Sequence, residues 1–127
     1  MNTHLPPLWK QRLSALLVIP ECPAVDQVWD AWARAEGGTA QYNPLNTTLY
    51  LPGTTVYNSA NVRNYPHPVT GIAGTAMTLI LGPYRSLWVD MQAAKSKGYT
   101  AAQIVTRNRS AFDTWGTGAA NVLKLLT

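Results

Sequence analysis

Apolar and polar positions alternate with helical spacing at both ends of the chain and lose that spacing in the middle. Leu8, Leu13, Leu16 and Leu17 form one stripe and predict a first helix over residues 7–18. Pro20 and Pro23 end it. Pro23 suits the first position of the next helix, where its missing N–H would have no partner anyway. That second helix is predicted over residues 23–36. Trp29, Trp32, Ala33 and Glu36 fall at i, i+3, i+4 and i+7, so they share one face. Gly37 and Gly38 supply a left-handed C-cap. Residues 39–68 are rich in Asn, Thr, Tyr, Pro and Gly. Two β-prone runs, 47–51 and 54–58, flank a Pro52-Gly53 turn, and residues 61–65 offer a third strand. Helical spacing returns from Val69, with Ile72, Ala73, Ala76, Leu79 and Ile80, and breaks at Gly82-Pro83. A helix over 84–97 presents Leu87, Trp88, Met91 and Ala94 inward and ends at Gly98. Thr100 caps a further helix reaching about residue 112, and residues 121–126 form a last short one. Helices, a small β region, then helices make a single α+β domain over residues 1–127, with its β part segregated.

Composition narrows this picture. The chain has 127 residues, 46% of them hydrophobic, and five tryptophans, enough for an ordered core. No apolar run approaches 18 residues, so no membrane span is expected. The first 20 residues do not read as a signal peptide, which points to synthesis in a cytoplasm. Cys22 is the single cysteine, so no intrachain disulfide forms, and it reads as a small buried hydrophobe. The net charge of +4 comes with only 13% charged residues and reflects scarce acids. Small basic clusters stand at Lys95/Lys97 and Arg107/Arg109. Mild basicity suits an anionic target such as a cell wall, or solubility alone. His4 and His67 have no acidic or cysteine companions at ligand spacing, so neither a metal nor a cofactor is expected. There is no nucleophile elbow, no phosphate-cradling glycine loop, and no basic face strong enough for nucleic acid.

Glu36 is the residue with chemical promise. The negative end of a helix disfavours a carboxylate, and apolar neighbours such as Trp32 and Ala33 add a desolvation cost. Both raise its pKa, which suits an acid that protonates a leaving-group oxygen. Spacing alone favours a solvated last-turn glutamate.

Motifs distributed along the chain add to this. Glu36-Gly37-Gly38, Asn43-Pro44-Leu45-Asn46-Thr47-Thr48, Tyr57-Asn58, Asn64-Tyr65-Pro66, Gly71 and Trp115-Gly116-Thr117 together resemble the lysozyme-like peptidoglycan hydrolase domain of actinobacterial phages and their hosts. The resemblance spans about residues 5–125. It departs at Asn61-Val62-Arg63, where that family carries Gly-Val-Gln, and at His67-Pro68. It implies a lysozyme-like fold, mostly helical, with a small β-hairpin region beside the cleft. It also implies cleavage of the β-1,4 bond between N-acetylmuramic acid and N-acetylglucosamine, with Glu36 as general acid. Asn43, Asn46, Thr47 and Thr48 are then candidates to bond sugar hydroxyls and acetamides, although either asparagine equally suits a loop-holding role. Tyr65 would stack on or bond a sugar ring, and Trp115 would serve as sugar platform or core. None of Glu21, Asp26, Asp30, Asp90 and Asp113 lies in the β region, where a second catalytic carboxylate would stand. Asp113 sits near the Trp-Gly-Thr motif, but caps and surface charges are commoner. Single-acid chemistry is the expectation, either lytic transglycosylase-like or goose-type-lysozyme-like. The expected partner is bacterial peptidoglycan, met after host lysis or from a phage virion, by a monomer that contacts neither membrane nor nucleic acid. The competing expectation is a non-catalytic virion or wall-binding protein that keeps the fold.

Overall fold

In the computed structural model, residues 5–115 and 118–126 are described, Trp115 by its backbone alone. Seven α-helices and one two-stranded sheet are present among them: α1 (Trp9–Leu16), α2 (Pro23–Glu36), β1 (Thr55–Val56), β2 (Arg63–Asn64), α3 (Pro68–Leu79), α4 (Arg85–Lys97), α5 (Ala101–Arg107), α6 (Arg109–Phe112) and α7 (Gly118–Leu125). The architecture is mostly helical with a small segregated sheet, in keeping with the α+β class. No helix among the described residues is long and apolar enough to cross a membrane.

Helix α2 is the centre of the molecule. Pro23 occupies its first turn and Gly37, at φ 56°, closes it with its N–H on the carbonyl of Ala33. Val25, Val28, Trp29, Ala31 and Trp32 are buried, against α4, α5 and α7. Trp29 stacks beside Trp32 with centroids 6.4 Å apart, and Trp32 meets Phe112 at 4.6 Å. The buried indole N–H of Trp29 donates to Ser14 Oγ at 2.9 Å, so a polar atom enters the core with a partner.

Helix α1 is shorter than its apolar pattern predicts and turns a different face inward. Leu8 and Val18 bracket it in left-handed conformations, at φ 53° and 56°. Trp9, Leu13 and Leu17 are buried at i, i+4, i+8, whereas Leu8 and Leu16 are exposed. The larger Trp9 side chain packs against Trp29 and sets the stripe. Helix α3 starts at Pro68 and buries Ile72, Ala76 and Leu79, leaving Ile80 outside. Gly82-Pro83 does break the helical run, as a 3-10 turn over Gly82–Tyr84. In α4, Leu87, Met91 and Ala94 are buried, and half-buried Trp88 donates its N–H to the Leu17 carbonyl at 2.7 Å. Thr100 and Gln103 form a reciprocal capping box at the start of α5. The single helix expected up to residue 112 is split at Asn108. Its buried amide donates to Ile104 O and Asp90 Oδ2, both at 2.8 Å, and its backbone leaves helical geometry at φ −123°. Helix α7 begins at Gly118, earlier than the pattern indicates, with Asp113 Oδ1 accepting from the Ala119 N–H.

The β region differs most. Thr55 and Val56 pair antiparallel with Asn64 and Arg63, and residues 47–51 form no strand. The Pro52-Gly53 turn exists, with Gly53 at φ 86°, but it leads out of a loop rather than joining two strands. The backbone of Thr47 explains this. Its N–H is taken by Asn43 Oδ1 at 2.8 Å, and its carbonyl accepts both the Asn43 amide at 2.9 Å and the Arg63 N–H at 3.1 Å, so a single backbone bond reaches β2 and the N–H that would extend a ladder is engaged locally.

Candidate active site

Helix α2 delivers Glu36 to the junction of two cavities. The larger, about 370 Å³, is lined by Trp32, Glu36, the 45–48 loop, the turn carrying Asn58, Ala60 and Val62, and Thr78, Leu79, Tyr84 and Thr114. The smaller, about 170 Å³, lies toward α6 and α7 and shares Trp32, Glu36 and Tyr84 with the first. Exposed Glu36 therefore borders both cavities, which together make up the groove around it. Trp32 is at once a core residue and the floor of this groove, which links the aromatic stack to the site. Glu36 is the one carboxylate lining either cavity among the described residues.

Burial against these walls raises the Glu36 pKa above the usual carboxylate range, and hydrogen bonding from Asn46 and then Trp32 pulls it partly back. Solvent still reaches the side chain through the groove, so the desolvation is partial. Its seat at the helix C-terminus acts in the same direction as burial.

Asn46 is the acid's neighbour. Its Nδ2 donates to the Glu36 main-chain carbonyl and to Glu36 Oε2, each at 3.3 Å. One amide thus satisfies a helix-end carbonyl and positions the carboxylate. Asn46 does so from a left-handed backbone, φ 55°, which asparagine tolerates better than most residues. Gly38 makes room for it, since a Cβ there would lie 2.1 Å from Asn46 Oδ1. The Gly37-Gly38 pair has two separate reasons: one closes the helix, the other seats Asn46.

The other sequence candidates divide. Thr47 and Thr48 line the larger cavity, Thr48 exposed and Thr47 buried. The Thr47 hydroxyl bonds Asn43 Oδ1 at 3.1 Å and the Tyr65 hydroxyl at 2.9 Å. Asn43 is buried and lines neither cavity. Its amide donates to Thr47 O and Arg63 O at 2.9 and 2.8 Å while its oxygen accepts from Thr47, which is the loop-holding role. Tyr65 is also buried and away from the groove, packed on Gly74, with its hydroxyl donating to Leu49 O at 2.9 Å. It braces the loop and presents no ring face to a ligand. The Trp115 side chain, Gly116 and Thr117 lie outside the described residues. Asp113 caps α7, Asp30 pairs with Lys10 at 2.9 Å, and Asp90 pairs with Arg107 at 3.0 Å, so none of these three lines the groove.

Sequence reasoning missed Asn58, Thr78, Tyr84 and Thr114 as groove residues. Asn58 stood in the quoted Tyr57-Asn58 pair, which was a usable signal. Its Oδ1 accepts from the N–H groups of Ala60 and Val62, at 3.0 and 3.2 Å, and shapes the turn over the cavity. Thr78 and Thr114 sit on or beside helices, and nothing local marks them. The Tyr57 hydroxyl bonds Thr39, tying the hairpin to the loop that follows Glu36. No family model, curated protein or solved structure matches this chain.

Proposed function

We propose that the protein cleaves the glycan strands of bacterial peptidoglycan, within a lysozyme-like fold, using Glu36 as its general acid. The observation that carries this reading is a carboxylate of raised pKa at the junction of two cavities, with no second carboxylate lining either among the described residues. A polymer substrate needs room on both sides of the scissile bond, and an acid that holds its proton to higher pH than an ordinary carboxyl suits a glycosidic leaving group. Glu36 donates its proton to the bridging oxygen as the C1–O bond breaks. With no second carboxylate lining the groove among the described residues, the substrate's own N-acetyl oxygen or 6-hydroxyl attacks C1. In the 6-hydroxyl case the Glu36 carboxylate takes the released proton and is regenerated as the acid. The hydroxyls of Thr48, Thr78, Tyr84 and Thr114 and the amide of Asn58 are the groups on hand for sugar recognition. In its setting, the protein would meet the wall after host lysis or as part of a virion.

The test is digestion of purified peptidoglycan followed by mass spectrometry. Wild type is expected to release muropeptides with 1,6-anhydro ends. Glu36→Gln, close in shape but unable to donate the proton, is expected to lose at least a thousandfold in rate while still folding. Equal activity in both proteins, or no product from any wall, ends this reading. Products with reducing ends would reassign the capture step to water.

A further inference from the structure

Charge is distributed unevenly over the fold. Residues 82–112 hold five cations, Arg85, Lys95, Lys97, Arg107 and Arg109, against one carboxylate, Asp90. The rest of the chain balances five cations with five carboxylates, so the whole net charge of +4 belongs to this segment. All five cationic residues are exposed. An open groove of about 500 Å³ runs between α4 and the α5–α6 junction, lined by Arg85, Ser86, Val89, Asp90, Arg107 and Asn108. It shares no residue with the cavities at Glu36.

The single carboxylate in this groove is already engaged. Asp90 accepts from Arg107 Nε at 3.0 Å, Arg107 Nη2 at 3.4 Å and Asn108 Nδ2 at 2.8 Å. The Arg107 guanidinium also lies over the Tyr99 ring, 4.9 Å from its centroid. Arg85 and Lys97 have no carboxylate partner among the described residues. Lys97 falls on the helical stripe of Ser86 and Asp90, at i, i+4 and i+11, so it lies on the groove's side of α4, beyond the residues that line it. Arg85 and Lys97 are about 18 Å apart along the axis of this helix.

We propose that this groove docks a linear phosphodiester polymer of the kind attached to wall glycan, holding the protein on the wall apart from its catalytic cleft. Two unpaired cations at that separation exceed the span of one phosphate, so a ligand that meets both is an extended chain carrying several phosphates. An arginine fork suits a phosphate diester, and the open groove suits an elongated ligand. The aromatic rings here each face a guanidinium group, Tyr99 that of Arg107 at 4.9 Å and Trp88 that of Arg85 at 6.0 Å, which disfavours them as stacking platforms for bases. The choice of a wall polymer rests on the function proposed above, whereas the binding face rests on charge and geometry.

The test uses Glu36→Gln protein, so that binding is read without digestion, on immobilised poly(glycerol phosphate), on whole walls, and on walls stripped of phosphate polymers by hydrogen fluoride. Arg85→Glu/Lys97→Glu is compared with Arg12→Glu/Arg34→Glu, which changes net charge equally elsewhere. The groove pair is expected to lose about tenfold or more in affinity at moderate salt while the control pair keeps most of it. Stripping the walls is expected to abolish the difference. Equal losses in the two pairs, unchanged binding to stripped walls, or tighter binding to double-stranded DNA at the same salt would each overturn the proposal. Muropeptide release by the wild type is scored separately. Polymer binding without glycan cleavage would remove the enzymatic reading and leave the docking face standing.

Discussion

The clearest quantitative test of the site is at Asn46, where one residue makes two separable contributions. Its amide donates to the Glu36 carbonyl and carboxylate at 3.3 Å, and its backbone sits at φ 55°. Asn46→Gly removes the amide and frees the backbone. Asn46→Ala removes the same amide but holds a Cβ in the left-handed region, at a cost of about 1–2 kcal/mol. The long bond to a helix-end carbonyl contributes roughly 0.5–1 kcal/mol. Gly is therefore expected to be near neutral in stability, and Ala about 1.5–3 kcal/mol less stable than wild type on these same terms. Urea unfolding of the three proteins reads this difference. The acid responds to the amide alone. Asn46 lowers a pKa that burial raises, so its loss lets the Glu36 pKa climb further. A general acid works while protonated, and activity falls as pH rises through its pKa. The alkaline limb of the pH–rate profile is expected to move to higher pH in both variants, by the same amount. An alkaline limb that stays put, or moves in Ala but not in Gly, would refute the positioning role of this amide.

The remaining predictions concern the frame around the acid. Asn43→Ala takes the Asn43 side chain from the Thr47 N–H and from the carbonyls of Thr47 and Arg63, the Thr47 carbonyl keeping the Arg63 N–H, and is expected to cost about 1–3 kcal/mol, read by thermal or urea unfolding. Gly38→Ala forces Asn46 from its seat, and it is expected to shift the pH–rate limb upward as Asn46→Gly does, with a stability loss of about 1–3 kcal/mol. Glu36→Gln tests linkage through folding. The folded-state pKa is raised, so the folded protein holds the Glu36 proton at pH values where the unfolded chain has released it. Stability from this group is thus lost as pH rises from the ordinary carboxylate value, 4.5, through the raised one. Melting curves of Glu36→Gln and wild type should diverge across that window, with the variant the more stable above it; a constant difference across it would contradict the raised pKa.

The helix carrying the acid was readable because every local signal agreed. Proline at its start, apolar residues at 3.6-residue spacing and glycine at its end gave residues 23–36, and the structure has Pro23–Glu36. Helix α4 was nearly as plain, with Gly98 at φ 68° closing it. The first helix misled because four leucines formed a stripe that Trp9 displaced. The split at Asn108 was hidden because it depends on Asp90 and Ser86, which approach only in three dimensions. The groove was half legible. Glu36, Thr47 and Thr48 lie on short motifs, whereas Thr78, Tyr84 and Thr114 come from separate elements whose approach no local pattern encodes.

The amide-rich composition of residues 39–68 fits a surface that reads neutral polar ligands, yet its asparagines are largely occupied within the fold. Asn43 serves the backbone of Thr47 and Arg63. Asn64 accepts from the Gln41 N–H at 3.0 Å and donates to Thr55 Oγ1 at 3.2 Å. Asn46 holds the helix end, and the Asn58 oxygen holds a turn. A segment of thirty residues with two-residue strands has few ladder bonds to satisfy its backbone, and side-chain amides take over that task. Ligand recognition then falls to groups with bonding capacity to spare inside the cavity, the Asn58 amide hydrogens and the hydroxyls of Thr48 and Tyr84. Replacing these is expected to weaken substrate binding with little change in stability, whereas replacing Asn43 or Tyr65 lowers stability first and activity only through it. That ordering, read from unfolding and kinetics on the same proteins, separates the groups that build the groove from those that face into it.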